Sequence, residues 1–407
     1  MSKLEELIQK SCPDGVEYKP LGKICNIKGR IGFRGYTRDD QVKEGEGALS
    51  LSPSNIQGGQ MDYTKGTYIT WAKYEESPEI KTYNGDIILC KTASVGKVAL
   101  VKDLPYKATI NPQLVVLKDI KCSAPFLTYV LGTDEVQRKI ISMAGVGSVP
   151  NIPQKALAEI EIPIPPLPVQ EEIVRVLDTF TELQAELQAE LQKRLQQYNY
   201  YRDNLLSFKG RTDVEWKKLG EVANVYDGTH QTPSYKDSGI PFISVENIGD
   251  IYSSRKYISK EDFDKYKIKP QVGDVFMTRI GSIGVCAVFD KQAEIAYYVS
   301  LALIRPNQEY VLPRYLKHII ESLTGCKELR KRTLVNAVPI KVNKDDIGKI
   351  VLPFPSLSEQ RRIVDILDRF DALTNDLTAG LPAEIEKRKQ QYEFYRDKLL
   401  TFKRKEA

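Results

Sequence analysis

Imidazoles and paired thiols are scarce in this chain. Among 407 residues only His230 and His318 are histidines, and the six cysteines, Cys12, Cys25, Cys90, Cys122, Cys286 and Cys326, are scattered without a CxxC pair. That supply argues against a zinc site and against a disulfide framework. No stretch approaches 18 uninterrupted apolar residues, and the start, MSKLEELIQK, lacks the apolar core of a secretory signal. The expected location is therefore the cytoplasm, with no membrane partner. Phosphate-cradling signatures are missing as well. AGVGS at Ala144 precedes VPNIP rather than a helix, and GDIILCKTASVGK ends in Gly96 and Lys97 without the spacing that lets backbone amides wrap a phosphate. An amino methyltransferase would need an NPPY-like tetrapeptide, and the nearest string is NPQL at Asn111. A nuclease needs clustered carboxylates with a lysine. Asp86 and Asp274 stand in matching GD steps without a repeated acidic partner, and they read as turn residues ahead of a strand. The chain is expected to hold no catalytic residues, no cofactor and no metal of its own.

What remains is ordinary soluble composition, 42% apolar and 28% charged, with 59 basic against 54 acidic residues for a net charge of +5. That charge permits nucleic-acid binding without demanding it. The length exceeds what a single core supports, so at least two domains are expected.

The most informative feature present is an internal duplication. LPVQEEIVRVLDTF (Leu167 to Phe180) returns 190 positions later as LSEQRRIVDILDRF (Leu357 to Phe370), with 7 of 14 residues identical. QQYNYYRDNLLSF (Gln196 to Phe208) returns as QQYEFYRDKLLTF (Gln390 to Phe402), with 9 of 13 identical. Two further stretches correspond more loosely. VEYKPLGKICNI from Val16 matches VEWKKLGEVANV from Val214, and GDIILCKTASVGKVALV from Gly85 matches GDVFMTRIGSIGVCAVF from Gly273, the latter pair at only 5 of 17 positions. Connectors that stay alike while the modules diverge suggest one frame carrying two different recognition surfaces.

Each module combines short β-like runs, such as GDIILC, KVALV and NPQLVVL, with one helix, expected from Pro125 through Ile141 and repeated from Pro313. Each connector opens on a proline-rich approach, IPIPPLP at Ile162 and LPFPSLS at Leu352, which fixes an extended lead-in. A short amphipathic helix follows, apolar at Ile173, Val174, Leu177 and Phe180 and again at Ile363, Val364, Leu367 and Phe370. A longer helix comes next, from near Thr181 to Phe208 and from near Pro382 to Phe402. Its seam is Leu191, Tyr198, Tyr201, Leu205 and Phe208 in the first copy and Ile385, Tyr392, Tyr395, Leu399 and Phe402 in the second. Each seam alone would leave an apolar stripe wet, so the two are expected to bury each other as an antiparallel coiled coil. Gly380 and Pro382 predict a break in the second connector only. The expected class is α+β, two repeated globular α/β-type domains separated by two long helices in a pseudo-twofold, circular arrangement. The expected boundaries are 1–153 for the first domain with a helical lead-in, 154–211 for the first connector, 212–340 for the second domain and 341–407 for the second connector.

Polar residues suited to reading DNA fall on predicted loops. In the first module these are Arg30, Arg34, Tyr36, Arg38, Asn55, Lys91 and Ser94. In the second they are His230, Gln231, Tyr235, Asn247, Arg279 and Ser282. Arginine and lysine neutralise phosphates or bond guanine, and asparagine and glutamine can address adenine. Lys91 and Arg279 both follow a strand, three residues before a serine.

PLPVQEEIVRVLDTF with PSLSEQRRIVDILDRF, the YYRDNLL and FYRDKLL helices, and the GDIILCKTASVGKVAL and GDVFMTRIGSIGVCAV strings together resemble the specificity subunit of type I restriction-modification systems over nearly the whole chain. The first copy carries Ala93 where the second has Gly281, a departure bearing on loop conformation. The resemblance implies two target-recognition domains, each reading half of a bipartite sequence in double-stranded DNA, and helical regions that dock two modification subunits. Those partners carry S-adenosylmethionine and methylate adenine, while two restriction subunits supply ATP- and Mg-dependent translocation and cleavage. Two rival readings from the sequence are a non-enzymatic scaffold whose two modules bind proteins, and a metal-dependent nuclease.

Overall fold

The computed structural model describes residues 3–30, 36–145, 149–375 and 380–406. Three long helices carry the connectors: α1 (Leu167–Leu205), α2 (Leu357–Asn375) and α3 (Leu381–Leu400). The first connector thus runs as one uninterrupted helix, short and long pieces fused. In the second, α2 is described to Asn375 and α3 begins at Leu381 with Pro382 in its first turn, where its missing N–H costs nothing, and residues 376–379 of the expected break lie outside the described residues. Among the described residues no helix is long and apolar enough to cross a membrane. By contacts the chain forms two units, Met1–Glu186 with Ile385–Ala407, and Leu187–Glu384.

In the first unit a hairpin of Ile87–Cys90 and Val98–Leu100 continues through Leu114–Lys118 to Asn26–Lys28, all antiparallel. A second sheet holds one parallel pair, Ala108–Ile110 beside Ala48–Leu51. The strands are short, and both faces of Ile87–Cys90 are buried, so the run reads as continuously apolar rather than alternating. The module helix expected from Pro125 to Ile141 is instead two helices, Ala124–Leu131 and Asp134–Met143. The break has a local cause. Gly132 ends the first helix, and the Thr133 hydroxyl donates to Val130 O at 2.8 Å, taking a carbonyl that a continuing helix would use.

The second unit repeats the four-stranded sheet strand for strand, while its other sheet has three strands against five in the first unit. Val275–Thr278 lies between Cys286–Val288 and Leu301–Pro306, and the latter also pairs with Ala223–Asp227. The parallel pair returns as Ile240–Ile243 beside Ala296–Tyr297. The helix break returns too, between Pro313–Glu321 and Leu323–Arg330, with the Ser322 hydroxyl donating to Ile319 O at 2.7 Å.

Each module is closed by a two-stranded ribbon that joins its start to its end, Glu17–Pro20 with Glu161–Ile164 and Glu215–Lys218 with Val351–Phe354. The proline-rich approaches are therefore strands. Pro163 and Pro353 are tolerated because a two-stranded ribbon has open edges, where a missing donor breaks no ladder.

The connector seams find their cover inside these units. In the first, Val169, Ile173 and Leu177 at the start of α1 share a core with Leu399, Leu400 and Phe402 at the end of α3, and Phe180 stacks on Tyr395 at 5.5 Å. In the second, Ile363, Val364 and Leu367 at the start of α2 share a core with Tyr198, Leu205 and Phe208, and Phe370 stacks on Tyr201 at 5.5 Å. Starts meet ends, so both pairings are antiparallel. The later seam of each connector is thus covered by the short amphipathic stretch of the other connector, where the sequence reading had paired seam with seam. Leu191 and Ile385 are half-buried. Ile173, Leu177, Ile363 and Leu367 are fully buried, each contributing about 1.5–3 kcal/mol through removal from water.

Residues kept identical at the joints explain the repeat. Gln170 and Gln360 are both buried at helix starts. The Gln170 side chain accepts from Ser123 N at 2.9 Å and donates to Pro165 O at 2.7 Å. Gln360 accepts from Leu312 N at 2.9 Å and donates to Tyr310 O and Pro355 O, both at 2.8 Å. The YRD tripeptide docks the other end. Asp203 accepts from Leu323 N at 2.8 Å and Asp397 from Asp134 N at 3.3 Å, each meeting the first N–H of a module helix where negative charge is favoured. Removing Gln360 leaves three backbone groups without their partner, one of them in a buried bond, so Gln360→Ala should destabilise the second unit by about 1–3 kcal/mol in guanidinium denaturation, and Gln170→Ala the first unit by less. Equal, negligible shifts would show that these glutamines do not hold the joints.

Candidate nucleic-acid interface

In the second unit the strand Ala223–Asp227 runs into a loop whose tight start requires glycine. A Cβ on Gly228 would lie 2.5 Å from Tyr298 C and 2.6 Å from Tyr297 O. Beyond it His230 and Gln231 are exposed, with His230 Nε2 3.6 Å from Asp227 Oδ2. Tyr235 is also exposed, edge-on to Phe242 at 5.7 Å, with the Lys256 ammonium 5.8 Å from its ring centre. Ser282 is exposed at the tip of the hairpin formed by Val275–Thr278 and Cys286–Val288.

Arg279 stands between this loop and this tip but does not project from them. Its side chain is only 7% exposed, its Nε donates to Val342 O at 3.1 Å, and its guanidinium pairs with the Asp227 carboxylate. It ties three chain segments together, which corrects its assignment as a base reader. Asn247 and Asn55 are also engaged locally. Each closes a one-turn 3-10 helix by accepting from the N–H of a serine three residues earlier, Ser244 at 3.1 Å and Ser52 at 2.9 Å. Asn55 is buried and donates to Asp62 O at 2.8 Å and Lys65 O at 2.6 Å, which fills its amide. Half-buried Asn247 serves the same turn.

In the first unit Arg30 is buried, donating from Nε to Ile110 O at 2.9 Å, with its guanidinium 5.6 Å from the Tyr36 ring centre. Burial lowers its pKa, with Tyr36, Glu76 and Glu79 acting against that shift, and its place is in the frame. Arg34 lies outside the described residues. Tyr36 is half-buried and Arg38 exposed. Beside them Trp71 is 44% exposed with the Lys107 ammonium 5.6 Å from its ring, and Thr70 N donates to Asp40 O at 3.0 Å, which brings this aromatic next to the Arg38–Asp40 turn. Lys91 is half-buried and Ser94 exposed.

The hairpins beneath Lys91 and Arg279 are built alike. Lys91 N donates to Gln113 O and Arg279 N to Ser300 O; Ile152 N donates to Lys91 O and Val342 N to Arg279 O, all at 2.8–3.0 Å. Ala93 N meets Pro150 O at 2.9 Å and Gly281 N meets Ile340 O at 2.8 Å. Ala93 and Gly281 share the left-handed backbone, with φ of +64° and +80°. Each hairpin tip therefore has a second loop laid against it, and neither second loop was marked by the sequence reading. The signal was present in the paired SVPNIP and NAVPIKV strings, apolar residues where a solvated loop should be polar.

The carboxylates of the two GD steps are both engaged. Asp86 accepts from Tyr83 N at 2.9 Å and pairs with Lys118, while Asp274 accepts from Gln271 N at 2.7 Å and takes two bonds from Arg305 at 2.8 and 2.7 Å. Both are turn and frame residues. Among the described residues no three His, Cys, Asp or Glu side chains gather as metal ligands would. Burial raises the Cys25 thiol to about 12 and the Cys122 thiol to about 11, which keeps both protonated at neutral pH.

The family model for the type I restriction modification DNA specificity domain matches twice, at residues 13–197 and 212–387. A putative type I restriction enzyme specificity subunit of Haemophilus influenzae is 37% identical over 423 aligned positions, 98% of each chain. A type I restriction enzyme specificity subunit of Escherichia coli is 38% identical over 274 positions, and that match spans 63% of either chain. Among solved structures, the S subunit of a type I restriction-modification system from M. genitalium superposes with a TM-score of 0.54 at 15% identity, covering 95% of this chain and 96% of the other. A chain from a type I R-M complex reaches 0.59 at 19% identity, covering 95% and 98%. At those identities the superpositions bear on the fold.

Two outcomes check the geometry. Arg279→Ala strands a half-covered carboxylate and a carbonyl, so it should lower the stability of the second unit by about 2–3 kcal/mol in chemical denaturation; an unchanged midpoint would return Arg279 to the candidate readers. Gly281→Ala should cost about 1 kcal/mol and Ala93→Gly should gain a similar amount, since only glycine adopts the left-handed backbone without penalty. Opposite signs in thermal melts would mean that the two tips do not share a conformation.

Proposed function

Because this chain belongs to the type I restriction-modification DNA specificity family, we propose that it reads a two-part sequence in double-stranded DNA, one half per module, and holds the enzymes that act there. The observation that carries this is the duplication. Two copies of one strand frame each present a hairpin tip and loops whose polar residues differ between copies, as two unlike half-sites require. The exposed candidates are Arg38, Ser94, His230, Gln231, Tyr235 and Ser282, with Trp71 added. Lysines and arginines nearby set position on the phosphates, and loop side chains address base edges.

The chain supplies no chemistry in this reading. Two modification subunits dock on the connector helices, carry S-adenosylmethionine and take the target adenine out of the stack. Two restriction subunits bring ATP- and Mg-dependent cleavage. The complex works in the cytoplasm, where its duplex is found.

Co-purification with the modification partner, followed by methylation of a random-duplex library and sequencing, should return one motif of two specified halves separated by an unspecified spacer. Methylation without a two-part motif would leave a protein-binding scaffold as the better reading. Cleavage by the chain alone with magnesium, lost on changing Asp86 or Asp274, would favour the nuclease.

A further inference from the structure

The second unit carries an apolar finger that its own fold does not use. The segment Leu334–Lys341 is pinched at its neck by Leu334 N donating to Lys341 O at 2.8 Å, and it is fixed to the hairpin tip by Gly281 N donating to Ile340 O at 2.8 Å. Ile280 bridges to Lys341 in the same place. A loop held at both ends this way projects a fixed tip. On that tip Val338 is fully exposed and Val335 is 60% exposed. Branched apolar side chains held in water in this manner contribute nothing to the core and mark a contact surface.

The surroundings indicate what it contacts. From Leu329 to Lys344 the sequence holds five cations, of which Lys331 and Arg332 pair with Glu328 and Lys344 with Asp345, while Arg330 and Lys341 are in no ion pair among the described residues. Arg330, Lys331 and Lys341 are exposed. An apolar tip with Lys341 at its neck and Arg330 on the preceding helix suits a duplex, whose phosphates meet the cations and whose bases offer apolar faces and methyl groups to the tip. Arg279 holds the finger beside the loop bearing His230 and Gln231, so the finger and the exposed candidates share one edge of the unit.

We propose that Leu334–Lys341 is a third DNA-contacting element of the second module, with Val338 seated against bases of its half-site and Arg330 on the flanking backbone. This rests on the DNA-reading function above and deepens it. Apolar wedges pressed on bases are a recurring means of holding a distorted duplex, and a site whose adenine leaves the stack has a gap to fill.

The test uses the full complex with its modification partner and a duplex carrying the motif found in the library experiment. Val338→Ala should leave the melting temperature unchanged and lower methylation on the second module's half-site on the order of ten-fold, sparing the other half. Its effect on duplex affinity should persist at all salt concentrations, whereas Arg330→Ala should reduce the slope of log affinity against log salt by about one. A wild-type complex with a clear two-part motif and a Val338→Ala complex that matches it at both halves would overturn the finger while leaving the reading of DNA intact. Equal loss at both halves would also overturn it. A wild-type complex without a two-part motif would remove the underlying function, and the finger with it.

Discussion

Each unit completes its core with apolar residues that arrive from the other half of the chain. The helix leaving the first module buries Ile173 and Leu177 against its own module and against Leu399, Leu400 and Phe402 from the far end of the sequence, and the helix leaving the second buries Ile363 and Leu367 against its own module and against Tyr198, Leu205 and Phe208. Every connector therefore serves two masters: its start fits the module it leaves and its end fits the other module. A substitution in either segment must suit both the local joint and the distant one. This accounts for the high identity of the connectors beside the divergence of the modules, and Gln170 with Gln360 and the repeated Asp203 and Asp397 are its most local expression.

The modules divide into what anchors and what is left free. The GD turns, the Ser-x-x-Asn turns and the basic residues at Arg30 and Arg279 are consumed by the frame through short, directed bonds. The positions that remain exposed sit at loop crests and hairpin tips, on backbone pinned from below. That division suits recognition, because a reader must be held rigidly while its side chains vary without cost to the fold.

The duplication, the α+β class and the helical connectors could be read from the sequence because they are carried by repetition and periodicity. Partner identity could not. The spacing of Tyr198, Tyr201, Leu205 and Phe208 marks a stripe, but nothing in that spacing names Phe370 as its cover, since a stripe specifies a face and not its complement. Arg279 looked like a reader because its chain neighbours are loop-like, and only tertiary structure places Asp227 against it, 52 residues away. The turns at Asn55 and Asn247 are legible in the sequence, because a serine three residues before an asparagine is itself a turn signal. The finger at Val338 was hidden for the opposite reason: apolar residues near proline read as core until their exposure is seen.

The reciprocal cover of the stripes also bears on descent. A half-length protein with one module and one connector would leave the core at the start of its helix incomplete and carry the matching cover at its end. Two identical copies would satisfy each other by exchanging those ends, as swapped dimers do. Fusing them in one gene would keep every contact and release the two modules to drift apart.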